Sequence, residues 1–220
     1  MLAQMSAPVV VGFDLDMTLI DARVGIAATY RALVARTGVH VDVDTVVARI
    51  GLPLRQELAN WFPPDEVEAA VRGYRALYPA YLNDSCAMMP GADVAVAAVR
   101  RHGGRVVVVT SKLDLFARAH LDHLGLVVDE VAGDRFGGGK TDAILDLGVG
   151  IYVGDHVADM RAARAAGATA VGVATGPHTE VELAAAGGDP VLTDLRSFPA
   201  WLATRLTTAA TAEDARTGTG

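Results

Sequence analysis

Two aspartates close the first apolar run of this chain, at a spacing that lets both face one bound group. Pro8 to Phe13 (PVVVGF) is apolar and β-branched, and Asp14, Asp16 and Thr18 follow it directly. Three later apolar runs end in the same way. Thr110, Ser111 and Lys112 close the run that begins at Arg105, Lys140 lies in the loop after the run ending at Ala132, and Asp155 and Asp159 follow Ile151 to Val153. Crowded carboxylates repel one another, and a hard divalent cation relieves that repulsion; oxygen donors favour Mg²⁺ over a thiolate-seeking metal. Such a cation can hold a phosphate oxygen. One carboxylate can attack phosphorus to form an acyl phosphate, and a carboxyl two residues on can protonate the leaving oxygen and later activate water. A hydroxyl and an ammonium can neutralise charge on the group in transfer.

These residues meet only if their strands lie side by side in parallel, because open parallel sheets bind ligands beyond the carboxyl ends of their strands. The pattern supports that arrangement. After Gly91, helical and β-branched segments alternate: helix 92–102, strand 105–110, helix 114–124, strand 127–132, a helix from Thr141, strand 151–153, helix 159–166, strand 169–173, helix 180–186, a short strand at 191–192 and a last helix 195–206. Alternation of this kind means a parallel sheet covered on both faces. Residues 21–88 interrupt it just after the first strand and read as all-helical: Asp21 as cap for a helix over 22–36, Asp44 as cap for a short helix, Pro53 opening a third, and a fourth from Asp65 that ends or kinks near Pro79. The expected architecture is α/β, a Rossmann-like parallel sheet with helices on both faces plus an inserted all-helical cap domain. The core takes residues 1–20 and 89–206 and the cap 21–88, with hinges near 19–23 and 88–91; 207–220 is expected to be a flexible tail.

Composition removes several function classes. The 220 residues carry 19 basic and 26 acidic side chains, a net charge of −7, with no basic cluster of the kind that nucleic acid or an anionic membrane selects. One cysteine, Cys86, cannot form an internal disulfide, which points to a reducing compartment. Neither a leader nor a spanning segment is visible, so a cytoplasmic protein is expected. Only two of the basic residues are lysines, and both, Lys112 and Lys140, stand at the strand ends described above. In a chain so biased to arginine, a retained lysine marks a site where a compact charge serves and a planar fork does not.

Asp14-x-Asp16-x-Thr18, Thr110-Ser111-Lys112, Lys140 and Gly154-Asp155-x-x-x-Asp159 resemble, in order, the four motifs of the haloacid dehalogenase-like hydrolase superfamily. With a helical insert after the first motif, the chain is similar to the phosphoglycolate-phosphatase-like branch, over about residues 8–202. The resemblance implies a phosphoric monoester hydrolase acting on a small phosphorylated metabolite through an aspartyl phosphate. It makes Asp14 the nucleophile and Asp16 the general acid and base, with Thr110, Ser111 and Lys140 on the phosphoryl group. It also implies Mg²⁺ held by Asp14, Asp16 through its carbonyl, and Asp155, with Asp159 as a ligand or as an acid behind one. Arg49 and Arg55 flank the Gly51-Leu52-Pro53 turn, where related lids read the substrate, and would suit an anionic one. The expected partner is the substrate alone, without nucleic acid or membrane, the protein being a monomer or homodimer. One position departs from the pattern: Met17 stands where such phosphatases often have Gly, which would narrow the space beside the site.

Blander readings accompany each of these. The acid pairs also suit turns and helix starts, Thr110-Ser111 an ordinary cap, and Arg49 and Arg55 a surface. Lys112 suits solvent as well as the site, and His156, inside the fourth motif, suits a contact to substrate or water. His120 and His123, one turn apart, read as an exposed helix face; Tyr74, Tyr78 and Tyr81 read as packing within the helical block. Gly137-Gly138-Gly139-Lys140-Thr141 falls one residue short of a phosphate-binding P-loop, because Asp134 stands where Gly is required. Among rivals, a dehalogenase lacks the second aspartate, and a phosphonate hydrolase of this branch needs a lid lysine, which 21–88 does not contain. A sugar phosphomutase keeps the same acid pair. A P-loop-like nucleotide switch would use Lys140, Thr141 and Asp155 but leave Asp14, Asp16 and the helical insert without a task. A non-catalytic binding module requires that an intact motif set has lost its function.

Overall fold

A computed structural model describes residues 8–83 and 86–217. The expected boundary at residue 1, positions 84 and 85 of the helical block, and 218–220 of the tail lie outside them. Six parallel strands form the sheet: β1 (Val10–Phe13), β4 (Arg105–Val109), β5 (Glu130–Ala132), β6 (Ile151–Gly154), β7 (Thr169–Val173) and β8 (Val191–Leu192), in the order β5-β4-β1-β6-β7-β8. β1 is central, with β4 on one side and β6 on the other, so the chain reverses its winding direction across β1. That switch point is where an open sheet leaves a crevice at its carboxyl end.

The β4 run shows why both faces are covered. Val106 and Val108 join one apolar cluster, with Ala95 and Val99 of α5 (Ala92–Arg101), Phe116 and Leu121 of α6 (Asp114–Leu124), and Phe198 and Leu202 of α10 (Phe198–Thr217). Val107 and Val109 join the other, with Ile144 of α7 (Gly138–Asp146), Met160 and Ala163 of α8 (Val157–Ala165) and Leu183 of α9 (Glu180–Ala185). Successive side chains of a strand point to opposite faces, so an unbroken β-branched run needs a helical layer on each. No helix among the described residues is long and apolar enough to cross a membrane.

Between β1 and α5 the chain makes β2 (Ile20–Asp21), then α1 (Arg23–Thr37), α2 (Val43–Ala48), α3 (Leu54–Leu58) and α4 (Val67–Leu77), then β3 (Ala87–Met88). The helices are α-helical as expected, but the two crossings at either end are paired: Ile20 lies opposite Met88 and Asp21 opposite Ala87 in a short antiparallel ladder. A turn of 3₁₀ helix over Tyr78–Ala80 ends α4 where Pro79 removes a donor.

Several local expectations are corrected. Asp21 does not cap α1; Ala22 occupies that position, and Asp21 is turned to Arg23, accepting from its backbone N at 3.1 Å and its guanidinium at 2.6 Å. Asp42 and not Asp44 caps α2, accepting from the N–H groups of Asp44 and Thr45. Helix α7 begins at Gly138, so Lys140 sits in its first turn instead of a loop, and α8 begins at Val157 under a cap from His156. Helix α10 runs Phe198–Thr217, past the helix end expected at 206.

Candidate active site

Asp14 extends β1 by one bond, its N–H donating to the Val153 carbonyl at 2.8 Å, and so stands at the sheet's carboxyl edge beside the end of β6. The next residues turn back at once. Thr18, Leu19 and Ile20 all donate to the Leu15 carbonyl, and Met17 donates to Ile20 at 2.8 Å. This tight loop puts Met17 in the left-handed region at φ 63, a conformation that glycine adopts without strain. The Met17 side chain is buried in the apolar core and does not line the cavity, so the expected narrowing does not occur. Its carbonyl is held by the Thr175 hydroxyl at 2.6 Å.

Lys140 reaches this edge from α7. Its ammonium lies 3.0 Å from Asp14 Oδ1 and 2.6 Å from Asp159 Oδ1, above the Tyr152 ring. Tyr152 is in turn anchored through its hydroxyl to the Val109 carbonyl at 2.6 Å. Asp159 Oδ2 accepts from the His156 backbone N–H at 3.1 Å and completes a capping box on α8. Asp155 Oδ1 accepts from Thr18 at 2.7 Å. Two glycines allow this crowding: a Cβ at Gly154 would collide with the Asp159 carboxylate, and one at Gly176 with Asp155 Oδ2.

Asp14, Asp155 and Asp159 are all buried, with one carboxylate oxygen from each lying within 4.8 Å of the others. Burial pushes Asp14 up to about 6, against the opposing pull of Lys140. Asp155 is raised well above the ordinary carboxylate range by burial and by the Asp14 and Asp159 charges. Burial would lower Lys140, but Asp14 and Asp159 together outweigh it and hold the ammonium charged. Asp14 and Asp155, hard oxygen donors whose ionisation burial opposes, fit a divalent cation, which would restore their charge. Asp14 Oδ2 and Asp155 Oδ2 are the oxygens left over from the contacts above, whereas both oxygens of Asp159 are engaged.

The remaining motif residues gather on the other side of Asp14. The Asp16 carboxylate is held by the Lys112 ammonium, 2.8 Å from each oxygen. Burial disfavours the Lys112 charge, but Asp16 more than compensates and raises it. Lys112 is thus turned to Asp16 and not to solvent. Thr110 is buried at the end of β4, its hydroxyl accepting from the Lys112 N–H at 3.2 Å. The Ser111 hydroxyl points to the Gly51 carbonyl of the helical block at 3.4 Å. Arg49 and Arg55 do line the cavity beside Asp16, each already bonded to a carboxylate: Arg49 to Glu57 at 2.6 Å and Arg55 to Glu68 at 2.5 Å.

Three contributors were not visible in the chain order. Tyr78 leaves the helical block to pack on Phe116, with its hydroxyl 2.9 Å from His120 Nε2 and its ring 5.2 Å from the Lys112 ammonium. His120 is therefore buried, not on an exposed face; only His123 is exposed. Glu57 and Trp61 form the third feature with Arg49, the indole N–H donating to Glu57 Oε1 at 2.8 Å. The alternation of Tyr74 and Tyr78 on α4 and its 3₁₀ turn was the available signal, since it continues an apolar face beyond the helix.

A haloacid dehalogenase-like hydrolase family model matches residues 11–164 of this chain. Over 194 residues the chain is 33% identical to a "Probable phosphatase IndB" of Dickeya dadantii, covering 79% of this chain and 84% of that one. It is 31% identical over 209 residues to a plasmid-borne phosphoglycolate phosphatase of Cupriavidus necator, covering 86% and 90%. The solved structure of Protein Tyrosine Kinase A of Mycobacterium tuberculosis superposes with a TM-score of 0.66 at 30% identity, over 78% of this chain and 86% of the other.

Proposed function

The chain belongs to the haloacid dehalogenase-like hydrolase family, and from that premise we propose that this phosphatase is a Mg²⁺-dependent phosphomonoester hydrolase working through an aspartyl phosphate on Asp14. The observation that carries the reading is the position of Asp14. Its buried carboxylate stands at the carboxyl edge of β1 with Lys140 3.0 Å from Oδ1, while Asp16, two residues on, lines a cavity. A carboxylate oxygen of Asp14 attacks phosphorus, and the leaving oxygen takes its proton from Asp16. Water then attacks the aspartyl phosphate, gives its proton to Asp16, and releases phosphate with Asp14 restored. Lys112 fixes where the Asp16 carboxylate stands; Lys140 and Thr110, with Ser111 at the rim, bind the phosphoryl oxygens. Asp14, Asp16 through its carbonyl, and Asp155 would hold the cation, with Asp159 positioning Lys140 beside them. A bound Mg²⁺ supplies charge neutralisation to the phosphoryl oxygens.

In this reading residues 1–20 and 89–206 form the catalytic core and 21–88 a cap that excludes water as it closes. Support comes from contacts that residues 21–88 make with the sheet part: Tyr78 on Phe116, Gly51 with Ser111, and Arg75 with Asp134 at 3.2 Å. The decisive experiment separates the two acids. With an activated aryl phosphate, whose leaving group needs no proton, Asp16→Asn should accumulate phosphoenzyme because the second step is slowed roughly 10²–10⁴-fold. Asp14→Asn should form none. Intact mass after acid quench measures both. Equal trapping in the two variants, or phosphate on Asp155, overturns the assignment.

A further inference from the structure

A chain of contacts reaches Asp16 from outside the strand-end motifs. Lys112 holds both carboxylate oxygens at 2.8 Å, and the two side chains are 8% and 12% exposed. The ammonium lies over the Tyr78 ring, 5.2 Å from its centre. An aromatic face attracts a cation most strongly where water is excluded. An ammonium on a flexible four-carbon stem keeps one position only if its neighbours close off the others. Tyr78 is the neighbour that does so from the helical block, and it lines the same cavity as Lys112 and Asp16.

The ring is itself fixed on several sides. Tyr74 stacks on it at 5.6 Å, Phe116 packs on it at 4.9 Å, and its hydroxyl shares a hydrogen bond with His120 Nε2 at 2.9 Å. His120 is buried and does not line the cavity. Its side chain makes that one hydrogen bond, and Nδ1 is buried with no partner among the described residues. An unpaired buried nitrogen costs free energy that a Phe in the same place would avoid. What the imidazole supplies instead is an anchor for the Tyr78 hydroxyl, and through the ring a fixed neighbour for Lys112.

We propose that Tyr78, anchored by His120, is a positioning residue for the general acid and base. It keeps Lys112 on both oxygens of Asp16, and so holds that carboxyl where the leaving oxygen, and later the water, arrives. The proposal rests on the hydrolase reading above and adds no proton carrier: both proton transfers remain those of Asp16. It gives the helical block a part in the chemistry, because Tyr78 comes to the pair from residues 21–88.

The test reads how kcat/KM depends on the leaving group. A misplaced acid slows esters whose leaving oxygen needs a proton, whereas a general loss of structure slows all esters alike. 2,4-Dinitrophenyl, 4-nitrophenyl, phenyl and benzyl phosphates form a series of falling leaving-group acidity. With Mg²⁺, wild type should depend weakly on the leaving group and Asp16→Asn steeply. Tyr78→Phe keeps the ring and drops the hydroxyl. His120→Phe drops the same hydrogen bond from a residue outside the cavity. In each, kcat/KM should fall about tenfold more on benzyl than on 2,4-dinitrophenyl phosphate, a part of the roughly 10²–10⁴-fold that the acid supplies. The double variant should fall no further than either single one, since both remove one interaction. Should a single variant unfold, the double one, which strands no polar atom, decides on the same ratio. A parallel fall across the series, an unchanged ratio, or additive losses in the double variant overturns the proposal and leaves the hydrolase reading standing. No wild-type turnover on any ester, or an Asp16→Asn dependence no steeper than wild type, refutes the role of Asp16 in that reading, and this proposal with it.

Discussion

Replacing Lys140 with Met takes away the ammonium that lies between Asp14 and Asp159 and keeps a side chain of similar length over the Tyr152 ring. The carboxylates stay buried and lose their counter-charge. Breaking a buried ion pair from one side costs about 3–5 kcal/mol. For 220 residues the unfolding entropy is on the order of 460 cal/mol/K. The melting temperature should therefore fall by roughly 6–11 °C where the carboxylates are ionised. The loss must depend on pH. Burial already holds Asp14 at about 6 against an ordinary 3.8, and Asp155 well above it, and Lys140 is among the groups lowering both. Without Lys140 they rise further. A carboxylate whose folded value exceeds its unfolded one favours the folded chain at low pH, and that advantage is lost as pH rises through the folded value. The deficit of Lys140→Met should thus be small at about pH 5 and complete near pH 8. A saturating divalent cation should recover part of it by mass action. Thermal unfolding of metal-free wild type and variant at both pH values, then with Mg²⁺, measures all of this. An equal drop at the two pH values, or one under about 2 °C near pH 8, refutes the argument that Asp14 and Asp155 depend on Lys140 for charge.

Three further outcomes follow from the same geometry. Hydrolysis of an aryl phosphate should require Mg²⁺, stop with chelator, and be poorly supported by Ca²⁺, whose larger and looser shell misplaces the nucleophile; full turnover without metal contradicts the proposed centre. Met17→Gly relieves a left-handed backbone worth about 1–2 kcal/mol but empties a buried site worth about 2–5, so urea unfolding should show a net loss of roughly 1–3 kcal/mol; a gain would mean the strain dominates. His120 is lowered from 6.5 to about 4, by burial first and by Lys112 second, so the unfolded chain binds its proton at higher pH than the folded one. Stability should fall as pH drops from about 6.5 to 4, this group supplying roughly 3 kcal/mol of the change, and His120→Phe should show a shallower acid slope in chemical unfolding; identical slopes would locate the effect elsewhere.

Local features of the chain were legible wherever one element decides them. The acids after β1 and β6, the hydroxyls after β4, and the four-valine run all follow from short-range rules about strand ends and alternation. Cap assignments were less secure because two acids competed within a turn: Asp42 and not Asp44 holds the free N–H groups of α2, since only the residue just outside the helix can face them.

What no local pattern determines is which charges and surfaces meet across the chain. Lys112 pairs with Asp16 from 96 positions away, and Lys140 with Asp14 from 126. His120 looked exposed from its own helix and is buried because Tyr78, 42 positions earlier, arrives from the helical block to cover it. Arg49 reads as a free cation in the sequence and is bound to Glu57 in the fold. The sequence by itself determined which chemical groups stand at the strand ends, because strand polarity and side-chain alternation are local properties of the backbone. The tertiary structure decided how those groups are paired, buried and charged. Coulomb attraction and desolvation depend on distance in space and on what excludes water, and neither is written in the order of residues.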